Sequence, residues 1–369
     1  EQTITISVTN AVEGRIVDAP LSDATVCLDT NEDSECGDTE PSVTSDSQGY
    51  YAVAETSPES GFELRVLSIG GTDIVTGKEL PSLALIAEVP ADPTQAVAVT
   101  PLSSVISVAT DPQAVIVALG FPETVTPDEL TSIDPWALAT DSTESSGEFA
   151  ASGELAESIG ITTTELETVA DNVVTTSAQI ANLIQTADSV VTDTTTSGIQ
   201  SAAERAAMIT ATVTKELVET IETAVTTAGS ASATTIDMGD STFTTEVLKE
   251  TVEESATLIV AEIETKQNAG TLDLSVTNNA TVAAILEIKE AQQVVTQTGL
   301  DATTLAAVTE VAKAAAETNT LIATQVATSG ITVLTSTTTA TAISEIVENN
   351  TTLATKLITD EITTEEFDT

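Results

Sequence analysis

The chain has 369 residues, enough to bury a sizeable core, and 58 acidic against 10 basic side chains leave a formal charge of −48. That charge repels phosphate, so nucleic acid and anionic membrane surfaces are poor partners, while cations or a basic partner are attracted. Hydrophobic residues make up 41% of the chain, aromatics only 2%, and histidine is absent, which removes the commonest general base and the commonest zinc ligand.

Residues 2–9 alternate strictly, with Ile4, Ile6 and Val8 on one face, and this period of two predicts a strand. Such a leading strand has two fates. It pairs within its own sheet, or it adds to the open edge of another subunit's sheet, which makes Ile4, Ile6 and Val8 candidate subunit contacts. From Val12 to about Val99 the signals remain β. Gly14-Arg15-Ile16-Val17 leads to a turn at Asp18-Ala19-Pro20, and Ala24-Thr25-Val26-Cys27-Leu28 runs into an acidic segment. A turn over Thr44–Gly49 precedes Tyr50-Tyr51-Ala52-Val53, and Phe62–Val66 alternates again. Short strands at this spacing predict a β-sandwich over residues 11–99.

The acidic segment runs from Asp29 to Glu40. Counting Asp29 as one, oxygen-bearing side chains stand at positions one, three, five, seven and twelve: Asp29, Asn31, Asp33, Glu35 and Glu40. That is the spacing with which a twelve-residue loop wraps calcium, the last carboxylate closing the shell with both oxygens. Two positions depart from the pattern. Ser34 sits where the sharp turn prefers glycine, and Gly37 offers no side chain at position nine, leaving water or Asp38 to fill it. Cys27 and Cys36, the chain's two cysteines, bracket the loop and can close it with a disulfide, as an oxidising compartment allows. A solvated acidic turn is the plainer account. The coincidence of spacing, terminal Glu and cysteine pair favours calcium as the cofactor.

The run Gly14-Arg15-Ile16-Val17, Pro20-Leu21, Ala24–Asp29, Asn31, Glu40-Pro41, Thr44-Ser45-Asp46 and Gly49-Tyr50-Tyr51 resembles the transthyretin-like or carboxypeptidase-regulatory-like β-sandwich modules of large bacterial surface proteins. Some of those modules carry a calcium loop ending in Gly-Glu-Pro with a cysteine pair around it; here Thr39 replaces that glycine. The later segments Gly70-Gly71-Thr72-Asp73, Thr76-Gly77 and Val99–Ser104 resemble the stretch that joins such a module to a helical region. The likeness covers about the first 140 residues and implies a secreted or surface-exposed protein rather than a reaction.

After Thr100 the period turns helical. Asp111-Pro112 opens a helix that Gly120 closes, and Thr126-Pro127-Asp128-Glu129 and Asp134-Pro135-Trp136 start two more. Trp136, the sole tryptophan, reads as a core anchor. Short helices therefore occupy 100–141, and the polar stretch from Ser142 to Gly153 reads as a linker. Residues 154–369 read as long helices: Thr162–Asp193, Ile199–Ala228, Thr242–Asn268, Thr281–Thr298, Ala302–Thr328 and Thr339–Ile362. In the second of these, Ala203, Ala207, Ala211 and Thr214, continued by Leu217, Ile221 and Val225, mark the expected seam. Gly270–Asn278 alternates like a strand and echoes residues 4–10; Thr332–Thr335 and Thr234–Asp237 read as further short strands. The fold class is thus α+β, an N-terminal sandwich of transthyretin or Ig type followed by a mostly α-helical region with a few short strands.

No Gly-rich phosphate loop, reactive thiol or aromatic sugar platform stands out, so the chain reads as no enzyme. No apolar run approaches a membrane span, and a cleaved secretory signal ahead of Glu1 is the expectation. Two functions fit. One is a secreted structural protein that self-assembles into an extracellular filament, tube or sheath, calcium-stabilised, with strand exchange between copies. The alternative is a monomeric calcium-binding surface adhesin or matrix-binding module.

Overall fold

The computed structural model describes residues 11–17, 20–75, 77–81, 83–90, 95–139, 160–195 and 202–240 without interruption, with short runs and single positions elsewhere up to 346. The protein is α+β, strand-rich in its N-terminal part and mostly helical beyond residue 100. The strands are β1 (Ala11–Ile16), β2 (Leu21–Ser22), β3 (Thr25–Asp29), β4 (Ser42–Thr44), β5 (Tyr50–Ala54), β6 (Arg65–Ile69), β7 (Thr72–Asp73), β8 (Ala84–Glu88) and β9 (Val97–Val99). They form a three-stranded sheet in the order β5-β1-β9, a four-stranded sheet in the order β4-β3-β6-β8, and a β2-β7 ribbon. The β1–β5 pair is antiparallel and β1–β9 parallel, while every pair of the four-stranded sheet is antiparallel.

The four-stranded sheet explains its own sequence. On β3, Val26 and Leu28 face the main core, while Cys27 turns to the other side with Leu67, Ala84 and Ile86. That second face is covered by Ala206 and Ala207 of a long helix. A sheet buried on both faces reads as near-continuous apolar runs instead of alternating ones, as in Val26-Cys27-Leu28 and Ala84-Leu85-Ile86-Ala87. The predicted strand at Phe62–Val66 is displaced accordingly. Phe62 and Glu63 are exposed loop residues, and β6 begins at Arg65, where pairing with Asp29 on one side and Glu88 on the other starts.

The helices are α1 (Pro101–Ile106), α2 (Pro112–Ala118), α3 (Pro127–Thr131), α4 (Pro135–Ala139), α5 (Thr163–Thr195) and α6 (Ala202–Ala228). Their starts follow local chemistry. Asp111 caps α2, and Thr100 and Thr126 form reciprocal capping boxes with Ser103 and Glu129, each ahead of a proline. Thr162 and Glu165 make the same reciprocal contact ahead of α5. Gly120 and Gly229 follow α2 and α6 in left-handed backbone, the usual way a helix is stopped.

Trp136 is buried with Val17 and Val174, as a core anchor should be. On α6 the fully buried line is Ala206, Ile209, Val213, Leu217 and Ile221, while Ala207, Ala211 and Val225 stand at its half-buried margin. Of the expected seam, Thr214, Leu217 and Ile221 are therefore buried as expected, while the small residues Ala207 and Ala211 and the terminal Val225 fall beside the buried line. Thr234–Asp237 is not a strand. The segment follows a 3₁₀ turn (Ala231–Ala233), and Ile236 N–H donates to Ala118 O at the end of α2. Residues 242–248 are helical, and helix is also found at scattered positions between 315 and 346. Residues 1–10, the linker 142–153, Gly270–Asn278, Thr281–Thr298 and Thr332–Thr335 lie outside the described residues. One hydrophobic cluster joins sheet residues such as Val26, Val53 and Val97 to Leu102, Ile116, Leu166, Leu183, Ile209 and Leu217 of the helices. Among the described residues no helix is long and apolar enough to cross a membrane.

Candidate functional site

The acidic loop leaves the end of β3 and returns to β4. A disulfide joins Cys27 on β3 to Cys36, the eighth residue of the loop, and so tethers the loop's interior to the strand. Cys27 is fully buried against the helix-covered face of the sheet, so the loop is anchored to the core at that end.

Within the loop, successive side chains turn back onto the main chain. Asp29 Oδ1 accepts from Asn31 N–H and its Oδ2 from Ser34 N–H; Asn31 Oδ1 accepts from Asp33 N–H, and Asp33 Oδ1 from Glu35 N–H. Ser34 sits at φ 60°, the left-handed geometry that position six demands, so serine takes the strained place that glycine would fill without cost. Glu40 closes the loop from the far end. Its Oε1 accepts from Thr30 N–H at 2.8 Å and from Thr30 Oγ1–H, and its Oε2 accepts from Gly37 N–H at 2.8 Å.

Asp29 and Glu40 are both buried, whereas Asn31 is half-buried and Asp33, Glu35 and Asp38 are exposed. Burial is the largest cause pushing the Asp29 carboxyl above its ordinary value. Hydrogen bonds from the loop's N–H groups oppose it, and the Glu40 charge adds to the upward push. No Lys or Arg lies between residues 29 and 40. Both Asp29 oxygens and Glu40 Oε2 accept a single N–H and keep a lone pair for a hard cation such as calcium, whereas Glu40 Oε1 already accepts two hydrogen bonds from Thr30. The six candidate ligands are not drawn together into one shell. Among the described residues no three acidic or cysteine side chains are grouped so as to hold a metal ion.

The structure adds residues that spacing alone did not single out. Arg65, opposite Asp29 on β6, pairs with Glu32 at 3.2 Å, and Glu32 also accepts from Glu63 N–H. Arg65 is flanked on its other side by Glu88, whose carboxyl is pushed up first by burial and then by Glu63. The cue for Arg65 was its rarity, one of ten basic residues in an acidic chain. The proposed contacts Ile4, Ile6 and Val8 lie outside the described residues. No family model matches the chain, and neither a curated protein nor a solved structure matches it significantly.

Proposed function

We propose that the chain is a secreted, non-enzymatic structural protein whose copies assemble into an extracellular filament, tube or sheath. Its two larger sheets form the layers of a transthyretin-like sandwich, calcium binds the Asp29–Glu40 loop, and residues 2–9 of one copy add to a sheet of the next. The observation that carries this reading is the pairing of two buried carboxylates, Asp29 and Glu40, in a disulfide-tethered loop devoid of basic side chains. Burial of two like charges is costly unless a cation compensates them, and calcium with oxygen ligands at this spacing would do so. A disulfide with one sulfur in the core favours an oxidising compartment, and a charge of −48 favours a medium rich in screening ions.

In this reading Asp29 and Glu40 would hold the ion, with Asn31, Asp33, Glu35 and Asp38 completing the shell. The bound ion would supply charge compensation and rigidity. Electron microscopy of the purified chain with calcium and with a chelator tests assembly directly. Ordered polymers are expected with calcium; a dispersed chain under both conditions sinks the reading and leaves the monomeric adhesin.

A further inference from the structure

Strand addition needs an edge, and the sheet edges of this fold are not equivalent. The outer edge of β8 is sealed by side chains. Ile86 N–H donates to Ser104 Oγ at 2.8 Å, Ile86 O accepts from Ser103 Oγ at 2.7 Å, and Ala84 N–H donates to Thr210 Oγ1. The edge strands β4 and β9 are only three residues long, β4 directly after Pro41 and β9 two residues before Pro101. Short strands and flanking prolines are how edges are protected from pairing.

β5 differs. It is five residues long, lies at the edge of its sheet beside β1, and alternates between buried Tyr51 and Val53 and exposed Ala52 and Ala54. Tyr50 turns both main-chain groups outward: its N–H donates to Asp46 Oδ1 and its C=O accepts from Asp46 N–H, each at 2.9 Å. In an antiparallel ladder the outward groups recur every second residue, so Ala52 and Ala54 face the same side, where no strand among the described residues pairs with β5. Val43 of the neighbouring β4 is only half-buried there, against the core.

From these edges we infer that β5 accepts the leading strand, through the main-chain groups of Ala52 and Ala54, and that its occupant is residues 2–9 of a second copy. This rests on the assembly proposed above. Residues 2–9 lead through Asn10 into Ala11, where β1 enters the sheet beside Ala54 of β5. The outer side of β5 is two strand spacings from β1, about 9.5 Å, while Asn10 alone joins residue 9 to Ala11, a reach of about 7 Å, so the same copy's residues 2–9 are too closely tethered to lie along it as a strand. A neighbouring copy reaches it directly. Strict alternation then lets Ile4, Ile6 and Val8 lie on the side of Val43, while main-chain bonds supply register.

Hydrogen exchange of the full chain, dispersed against assembled, tests this. Exchange at Ala52 and Ala54 is expected to slow about tenfold or more on assembly. Ala52→Pro removes an outward N–H without touching the β1 ladder, and with the fold confirmed by circular dichroism it is expected to cut assembly about tenfold. Assembly of folded Ala52→Pro at the normal level, or protection confined to other strands, overturns the choice of edge. Removal of residues 2–9 separates the two levels. If that removal abolishes assembly while β5 stays unprotected, only the acceptor is wrong; if assembly survives it, or never occurs, strand addition itself fails.

Discussion

Arg15 on β1 and Asp134, the residue before α4, form a buried ion pair at 3.0 Å across 119 positions of sequence. Their side chains are 6% and 2% exposed. Both members have further partners. Arg15 Nε donates to Gln48 O, the guanidinium lies 4.6 Å from the centre of the Tyr50 ring, and Asp134 Oδ1 accepts from Ala137 N–H in the first turn of α4. One arginine thereby joins the three-stranded sheet, the turn before β5 and the start of a helix.

Removing one member leaves a buried charge without its partner, which costs about 3–5 kcal/mol. Arg15→Met is therefore expected to lower stability by about that amount in urea unfolding. Arg15→Met combined with Asp134→Asn is expected to recover part of the loss, because the second change removes the stranded charge while keeping a capping oxygen. Strict additivity of the two changes would mean that the pair contributes nothing as a pair.

Gly14 is required for space. A Cβ built there would stand 1.9 Å from Val97 O and 2.6 Å from the Tyr51 hydroxyl, because the phenol passes over the glycine to donate to Val97 O at 2.9 Å. Val97 O is main chain and cannot swing aside, so Gly14→Ala is expected to prevent soluble folding. Tyr51→Phe removes only the hydrogen bond and leaves the carbonyl short of a donor, a loss of about 1–3 kcal/mol. Thermal melts of both variants check this, and a folded Gly14→Ala protein would refute the close approach.

The disulfide spans nine positions, and closing a loop of that size removes unfolded-chain entropy worth about 2.5–3 kcal/mol. The double variant Cys27→Ala with Cys36→Ala is expected to lose about that much stability. Because Cys27 also fills the interface between the sheet and Ala206, Cys27→Ser should cost more than Cys36→Ser. Urea unfolding of the native chain with and without reductant gives the cross-link, and the three variants compared with the reduced native chain give the packing.

The elements that the sequence disclosed are those fixed by contacts a few residues long. Asp111-Pro112 and Thr126-Pro127-Asp128-Glu129 start helices because a side chain meets an N–H three positions away, and the Ser34 turn follows from Asp29 reaching an N–H five positions on. The parallel pairing of β1 with β9 and the Arg15–Asp134 contact depend on which surfaces meet, which no local pattern encodes. The same reason displaced β6. Alternation at Phe62–Val66 was genuine, but the paired register with Asp29 and Glu88 begins only at Arg65. In the loop, the calcium spacing singles out Asp29 and Glu40, and it assigns no role to Glu32. Its partner Arg65 lies thirty-three positions away and comes beside the loop only through the β3–β6 ladder.

Asp29 gives the loop a pH signature whose sign depends on calcium. Its carboxyl is pushed up by burial and by Glu40, so the folded chain holds that proton more tightly than the unfolded chain does. Without metal, Asp29 is expected to subtract stability as pH rises from the acid range through its raised value, and to restore it on acidification. Bound calcium would reverse the trend, because the ion would bind the ionised carboxylate and protons would compete with it. Melting temperature is therefore expected to rise on adding calcium at neutral pH, by an amount equivalent to about 2.7 kcal/mol at a hundredfold excess over the dissociation constant. Magnesium, smaller and reluctant to shed water, should do less. Asp29→Asn and Glu40→Gln are each expected to abolish the calcium response, and Asp29→Asn should also flatten the metal-free pH dependence. Melting curves that superimpose with and without calcium in the native chain would show that the two buried carboxylates meet no ion.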